Sequence, residues 1–559
     1  MARQSAKARN ATALLLVLCA VLTLDAQESL PPAQPETSTA QEDGEKGPWW
    51  HMAIQLPLGI APHAHAITAD EATAQSLAQS PDVQAIQIAP QILRTEITRQ
   101  QAEFDWNNFL ETNWANRSDP IGSILTTGET SGRFEDDLLT AAGGIRKKTG
   151  SGAEWELAQR SGWQRNNSTF LIPNPQSTSR LELTVTQPLL EGRGREVNYF
   201  RIVEARLLSE ASASEAIARL QEHVLEVATA YWDLYRNRSS FVIRKQAADR
   251  ADQLLVSLRQ RRTLDATSRQ ILRAQTAAAQ RRAELMTVAA AADTAATRLR
   301  RLVGRSDYQA ELIPTQLPST VPPAYERETA IQTALTGRPE VAKAVRDVRT
   351  ASLRMGVSRN ALLPRLDLIA GTYVAGLADH RHLLPAYGNQ FVDGRPSVNV
   401  GLVWERPIGN RAARGLVQRR QLELQQAMAD YESALQTARA DIELALIRLD
   451  LTYQTIGQRH RSLMAANEEL NYLEDRWEVA PGADGSAILL LEDLIDAQAR
   501  KADEEVALAT AEASFNIAIV RLHRALGTLL RPSAMGPLPC PPMVEPLRVE
   551  TTAVMEDQP

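Results

Sequence analysis

The chain has 559 residues, 44% of them hydrophobic and 23% charged, and a formal net charge of -6. That balance excludes a polybasic nucleic-acid surface, so no nucleic acid is expected as a partner. Outside the N-terminus no stretch approaches the ~20 apolar residues of a membrane-spanning helix. A chain of this length accommodates several domains, so internal repeats are sought first.

Residues 1 to 26 read as an export signal, with Arg3, Lys7 and Arg9 before an apolar core from Ala11 to Leu24. Cys19 lies inside that core behind Leu18, where a lipidation site has a small residue, which argues against acylation. Removal of the signal leaves Cys540 alone, so an exported chain would rely on packing or self-association rather than a disulfide. Residues 27 to 70 are rich in Pro, Glu, Ser and Ala and read as a linker.

A first repeat is assigned to residues 71 to 304. It opens with helical character from Ala72 to Ala102, then a strand from Phe104 to Trp114, with Phe104, Trp106, Leu110 and Trp114 on one face. A long polar loop, residues 117 to 177, holds a hairpin whose turn is Lys147 to Gly152. In the next strand Leu181, Leu183 and Val185 alternate with Glu182, Thr184 and Thr186. From Arg195 to Val303 there is neither Gly nor Pro. Half of that run as helix would already span ~80 Å, far more than a small domain.

After a connector, residues 305 to 325, the pattern returns in residues 326 to 528. Arg338-Pro339-Glu340-Val341 echoes Ser80-Pro81-Asp82-Val83 at a helix head. A strand follows Pro364, residues 379 to 394 form a loop, and Val398, Val400, Leu402 and Trp404 alternate with Asn399, Gly401 and Glu405. Pro407 matches Pro188, and Gly527 matches Gly304 at the end of a long helix. Residues 529 to 559 form a Pro-rich tail. The fold class is therefore α+β and internally duplicated: long helical hairpins coiled into a tube, continued by amphipathic strands. Each strand is long enough to cross a bilayer when tilted. Four strands cannot close a barrel, and lipid forbids an open edge, so a membrane-spanning chain must oligomerise.

Thr186-Gln187-Pro188-Leu189-Leu190 with Gly192 and Gly194, Arg406-Pro407-Ile408-Gly409 in the second copy, and Glu492-Asp493-Leu494-Ile495-Asp496-Ala497-Gln498 resemble motifs of the TolC-like outer membrane efflux protein family. Their order and duplication, from Ala72 to Leu530, carry the resemblance. It implies a homotrimer in outer membrane lipid, a 12-stranded barrel and a helical tunnel crossing the periplasm. It also implies a periplasmic adaptor and an inner membrane pump as partners, with no cofactor.

No catalytic constellation is present: there is no Walker loop, nucleophile elbow or H-E-x-x-H. His63 and His65 stand close together with no third ligand, and no metal site is expected. The candidate site is the second hairpin tip. Asp493 and Asp496 share one helical face, and the resemblance places them at a periplasmic gate, where a trimer would carry a ring of six carboxylates. Arg269 and Arg273 occupy the first copy and are candidate latches onto the acids of the second hairpin. Arg262, Asp265, Glu478, Asp484 and Gly485 mark the tips where an adaptor would dock. Glu182, Thr184, Asn399 and Glu405 are expected to face a wet lumen that mildly prefers cations.

These readings converge on a passive outer membrane duct of a tripartite efflux or secretion system. A type I protein-secretion duct uses the same architecture. A periplasmic adaptor or coiled-coil structural protein is the competitor from another class. It is disfavoured because the helices are duplicated and each pair is joined to amphipathic strands.

Overall fold

The computed structural model describes residues 47–58, 63–123, 125–128, 132–261, 267–479 and 487–530. Residues 47 to 49 belong to a separate N-terminal unit. The expected signal, Cys19, Cys540, the Pro-rich tail beyond residue 530, and the tip residues Arg262, Asp265, Asp484 and Gly485 lie outside the described residues.

In chain order the elements are α1 (Trp50–Ala53), β1 (His63–Ile67), α2 (Ala69–Gln79), α3 (Pro81–Gln101), β2 (Asn107–Pro120), β3 (Arg133–Lys148), β4 (Glu154–Asn166) and β5 (Gln176–Pro188). Then come α4 (Arg195–Asn198), α5 (Phe200–Gln260), α6 (Ser268–Val303), β6 (Ala310–Pro314), α7 (Arg327–Gly337) and α8 (Pro339–Ser358). The chain continues through β7 (Arg365–Asp379), α9 (Leu383–Val392), β8 (Ser397–Glu405), α10 (Arg411–Val479) and α11 (Ala487–Leu526).

The duplication is visible in the helix ends. Thr68 caps α2 through a reciprocal box with Glu71. Pro81 and Pro339 stand in the first turns of α3 and α8, where the missing N–H costs nothing. Gly304, at φ +80°, ends α6 with its Cα against the Gln79–Ser80 backbone, and Gly527, at φ +73°, ends α11 against Gly337 and Arg338. The returning helix of each repeat thus ends against the head of an earlier helix, α6 against α3 and α11 against α8. α6 and α3 together run alongside α5, and α11 and α8 alongside α10. The result is a wall four helices wide. Near the sheet its order is α3-α5-α8-α10, and at the far end it is α6-α5-α11-α10. α5 lies inside the wall and buries residues along its whole length, whereas α10 forms an edge and buries few.

A short belt crosses this wall. β1 pairs in parallel with β6. Ile54, Ile67 and Leu312 join Tyr231, Leu234, Tyr235, Leu299 and Leu302 in the main core. Arg238, buried on α5, donates to Glu311 at 2.6 Å and to the carbonyls of Ile54 and Leu56 at 3.0 Å. The described residues 50–58 and 63–70 therefore belong to this belt and the helix after it, and not to the linker that their composition implied. Trp50, Ile54 and Ile67 are buried while Met52 and Leu56 stay exposed, and the strand forms only because β6, far away in sequence, supplies its partner. His63 and His65 are strand residues of this belt.

The strands at the other end form one antiparallel sheet in the order β2-β3-β4-β5-β7-β8. Here the sequence-based count is corrected. The segment read as a loop contributes β3 and β4, so this sheet has six strands among the described residues and not the four that a 12-stranded trimer needs. The predicted turn after Lys147 is correct, since Thr149 N–H bonds Ala153 O across it at 2.8 Å. The other predicted loop holds α9. Phe104 sits in a short helical turn against Tyr199, with ring centroids 4.9 Å apart, and not in β2. Among the described residues no helix is long and apolar enough to cross a membrane.

Candidate functional site: a two-faced sheet above an acidic hairpin tip

Cross-strand partners share a face of a sheet, so the register sorts every side chain. One face carries Leu110 and Trp114 of β2, Leu139 and Ile145 of β3, Trp155, Leu157 and Trp163 of β4, and Leu181, Leu183 and Val185 of β5. Across β7 it continues into Val398, Val400, Leu402 and Trp404 of β8. Trp155 and Leu157 stay solvent-exposed, as do Val398, Val400, Leu402 and Trp404, each at 65–72% in the last four. The aromatic rings lie near the two ends of this face. Lys147 stands 4.9 Å from the Trp106 ring centroid at the helix end. At the loop end Trp114 Nε1 donates to Asp137 at 2.8 Å, and Arg381 stacks on Trp163 at 3.9 Å. Trp106 to Trp114 is eight residues, or ~27 Å along a strand and ~21 Å of height at a ~40° tilt, near the ~25 Å apolar band and flanking aromatic girdles of a membrane barrel.

The apolar face carries a polar strip at Gln159, Ser161 and Ser179. α9 covers it. Gln390 of α9 is buried and pairs with Gln159 at 3.3 Å, and Gln159 reaches Ser179 at 2.7 Å. Gly376 lets the helix approach, since a Cβ there would stand 2.3 Å from Gln390 N. α9 presents exposed Leu384, Tyr387, Phe391 and Val392 in place of the strip.

The opposite face is polar. It carries all four strand residues singled out from sequence: Glu182, Thr184, Asn399 and Glu405. It also carries residues that sequence reading missed because they lie in the extra hairpin or beside it. Arg146 stands over Phe109, and Arg160 pairs with Glu156 at 3.2 Å and Glu182 at 3.3 Å. Arg180 stacks on Tyr373 at 3.6 Å. A concavity of about 860 Å³ opens on this side, lined by Glu111, Arg160 and Arg180 among others. The arginines offset the acids, so the strands themselves supply little of the expected cation preference.

At the far end of the wall, α11 packs through Leu491, Leu494, Ile495 and Ala497 against Leu255, Leu258 and Ala274 of the first hairpin and Leu470 and Leu473 of α10. That stripe leaves Asp493 and Asp496 together on the exposed side. Arg273 does meet an acid of the second hairpin, but it is Glu492, at 3.7 Å, and not Asp493 or Asp496. Both partners are partly exposed, so the pair is worth ~0–1 kcal/mol at most. Arg269 and Glu478 are exposed. The well-made cross-hairpin contact belongs to a residue not singled out from sequence. Arg281, 7% exposed, donates at 2.9 Å to the carbonyl of Ile495, which lies between the two aspartates in sequence. Burial pushes its guanidinium below the usual arginine range, and nearby acids, Asp496 among them, oppose this. Its sequence signal is a charge on the stripe of Ala274 and Ala278, one turn further along. Gln270, which stands opposite the acids in the duplication, is a cap: its side chain accepts from Thr267 N–H at 2.8 Å. Among the described residues no metal-holding cluster occurs.

Solved structures share this overall fold. The outer membrane channel CmeC of Campylobacter jejuni superposes with a TM-score of 0.61 at 13% identity, covering 90% of this chain and 95% of that one. The fold is that of a TolC-like outer membrane channel. The outer membrane protein VceC of Vibrio cholerae matches at a TM-score of 0.59 and 16% identity, over 82% and 96% of the two chains. A membrane protein of Pseudomonas aeruginosa matches at 0.60 and 19%, over 82% and 93%. No protein-family model and no curated protein matches the sequence.

Proposed function

We propose that this protein is a passive exit duct: the outer membrane component of a tripartite exporter, assembled as a homotrimer. The observation that carries the reading is the joining of a two-faced sheet to helices of 61 and 69 residues. Those helices extend roughly 90–100 Å, a length suited to crossing an aqueous compartment rather than to filling a core. An apolar face with aromatic ends suits lipid, and the polar concave face suits a water-filled lumen.

One chain leaves both flanks of the wall open. β2 and α3 form one flank, with exposed Leu110, Ile88 and Ile92, and β8 and α10 form the other, with exposed Val400, Leu444, Ile447 and Leu451. Head-to-tail association of identical chains covers both flanks, and a rotation that closes makes a ring. In a trimer Asp493 and Asp496 make a ring of carboxylates at the periplasmic mouth, which repel one another when the mouth narrows and attract cations. The Arg273–Glu492 pair is a weak latch between hairpins. The tips beyond α5 and α10 meet the periplasmic adaptor, and the inner membrane pump supplies the energy.

Single-channel conductance of the purified protein in a planar bilayer tests this. Small cation-selective currents blocked by divalent cations are expected. A protein that never enters the bilayer and stays a soluble elongated oligomer would sink the reading.

A further inference from the structure

We infer that the pore wall in the outer membrane has eighteen strands, six from each of three chains, and that the exit is as wide as the helical tunnel feeding it. The inference rests on the trimeric reading above and departs from the twelve strands that four per chain would give.

The extra hairpin is part of the wall. β3 pairs with β2 from Arg133 to Arg146 and with β4 from Asp136 to Lys148, and β4 pairs with β5 over Glu154 to Gln164. It cannot leave the sheet without breaking both ladders. Its side chains obey the same two-faced rule as the other strands: Leu139, Ile145, Trp155, Leu157 and Trp163 on the apolar face, Arg146, Glu156 and Arg160 on the polar one. It holds one tryptophan near each end of the apolar face, Trp155 and Trp163, as β2 and the residue before it do with Trp106 and Trp114. A hairpin lying on the surface of the barrel would need neither the lumen-facing charges nor the two aromatic levels. Its turn is seated on the helix layer: Lys148 pairs with Glu103 at 2.7 Å, and Gly194 N–H donates to Ser151 O at 3.1 Å.

The second copy is what the free edges require. β2 and β8 are the outer strands of a fully antiparallel six-stranded sheet, so they run in opposite directions. β8 of one copy can therefore pair antiparallel with β2 of the next, apolar face to apolar face. An unpaired strand edge in hydrocarbon costs several kcal/mol per group, so neither edge can stay open. The helix layer ends on the same two flanks.

Width supports the count. Strands ~4.8 Å apart, tilted ~40°, give six strands ~38 Å of circumference, and four strands only ~25 Å. Four helices at ~9–10 Å spacing give ~36–40 Å. Six strands match the helical wall without a taper. Because barrel diameter grows roughly linearly with strand number, the exit is ~1.5-fold wider than a 12-stranded one. It sets no size limit below that of the tunnel, and selection by size then falls to the periplasmic end.

Electron cryomicroscopy of the full chain in lipid nanodiscs tests the count. Three copies and eighteen wall strands are expected. Three copies with twelve strands and β3–β4 outside the wall would overturn the inference and leave the trimer standing. Two copies with twelve strands would overturn both. As an independent measure, polymer exclusion from the external side is compared between wild type and a variant in which a short turn joins β2 directly to β5. The exclusion radius should fall by about a third in the variant. An unchanged radius overturns the wide exit.

Discussion

Gly304 and Gly527 decide where each repeat turns. Both have positive φ, and a Cβ would stand 3.0 Å from Gln79 O in one case and 2.8 Å from Gly337 O in the other. Gly304→Ala should cost ~1–3 kcal/mol through strain and crowding together, read as a lower melting temperature. Arg281 is a second such residue. Arg281→Met keeps most of the bulk but removes the donor to Ile495 O, which should cost ~1–3 kcal/mol. Faster hydrogen exchange confined to the start of α11 would check that the loss is local. The aspartates are different, because they are exposed and hold no core. Asp493→Ala/Asp496→Ala should leave the melt unchanged, enlarge the single-channel current and relieve divalent block. Currents equal to wild type would move the gate elsewhere. His223 adds a pH dependence. Ser76 Oγ donates to Leu302 O at 2.8 Å, so its 2.6 Å contact with His223 is donated by the ring's Nε2–H, which the neutral and the charged imidazole both carry. Burial holds that ring's pKa below the usual histidine value. A depressed folded-state pKa means stability is full above the unfolded value of ~6.5 and falls as the pH drops below it. The melting temperature should therefore decline on acidification below that point, less steeply in His223→Asn.

At the scale of elements, the long helices are legible and the extra strands are not. Absence of Gly and Pro across residues 195 to 303 allows helix, but does not locate the hairpin turn within that run. A capping box at Thr267 and Gln270 starts the returning helix without help from either residue. In β4 the alternation is clear from Glu154 to Ala158 and then broken by Gln159 and Ser161 on the apolar face. In β3, paired aspartates and paired glycines blur it. The break in β4 has a tertiary cause: α9 covers those polar groups from more than two hundred residues away. Gly376→Val should push α9 off the sheet and expose it to protease added outside, while the protein still inserts. Protection equal to wild type would count against α9 as a cover.

At the scale of the whole molecule, the duplication, the α+β class and the acids at the hairpin tip could be read from residue patterns. Periodicity and breakers are local properties, and a duplicated order of strand, Pro, Gly and long helix leaves few arrangements open. The partner of Arg273, the role of Arg281 and the belt made by β1 and β6 could not be read. Each joins residues far apart in sequence, and no local pattern records which helices become neighbours. The strand number belongs with these. Whether an alternating segment closes a loop or enlarges a pore depends on hydrogen bonds to strands on either side of it, and only the assembled sheet supplies both ladders.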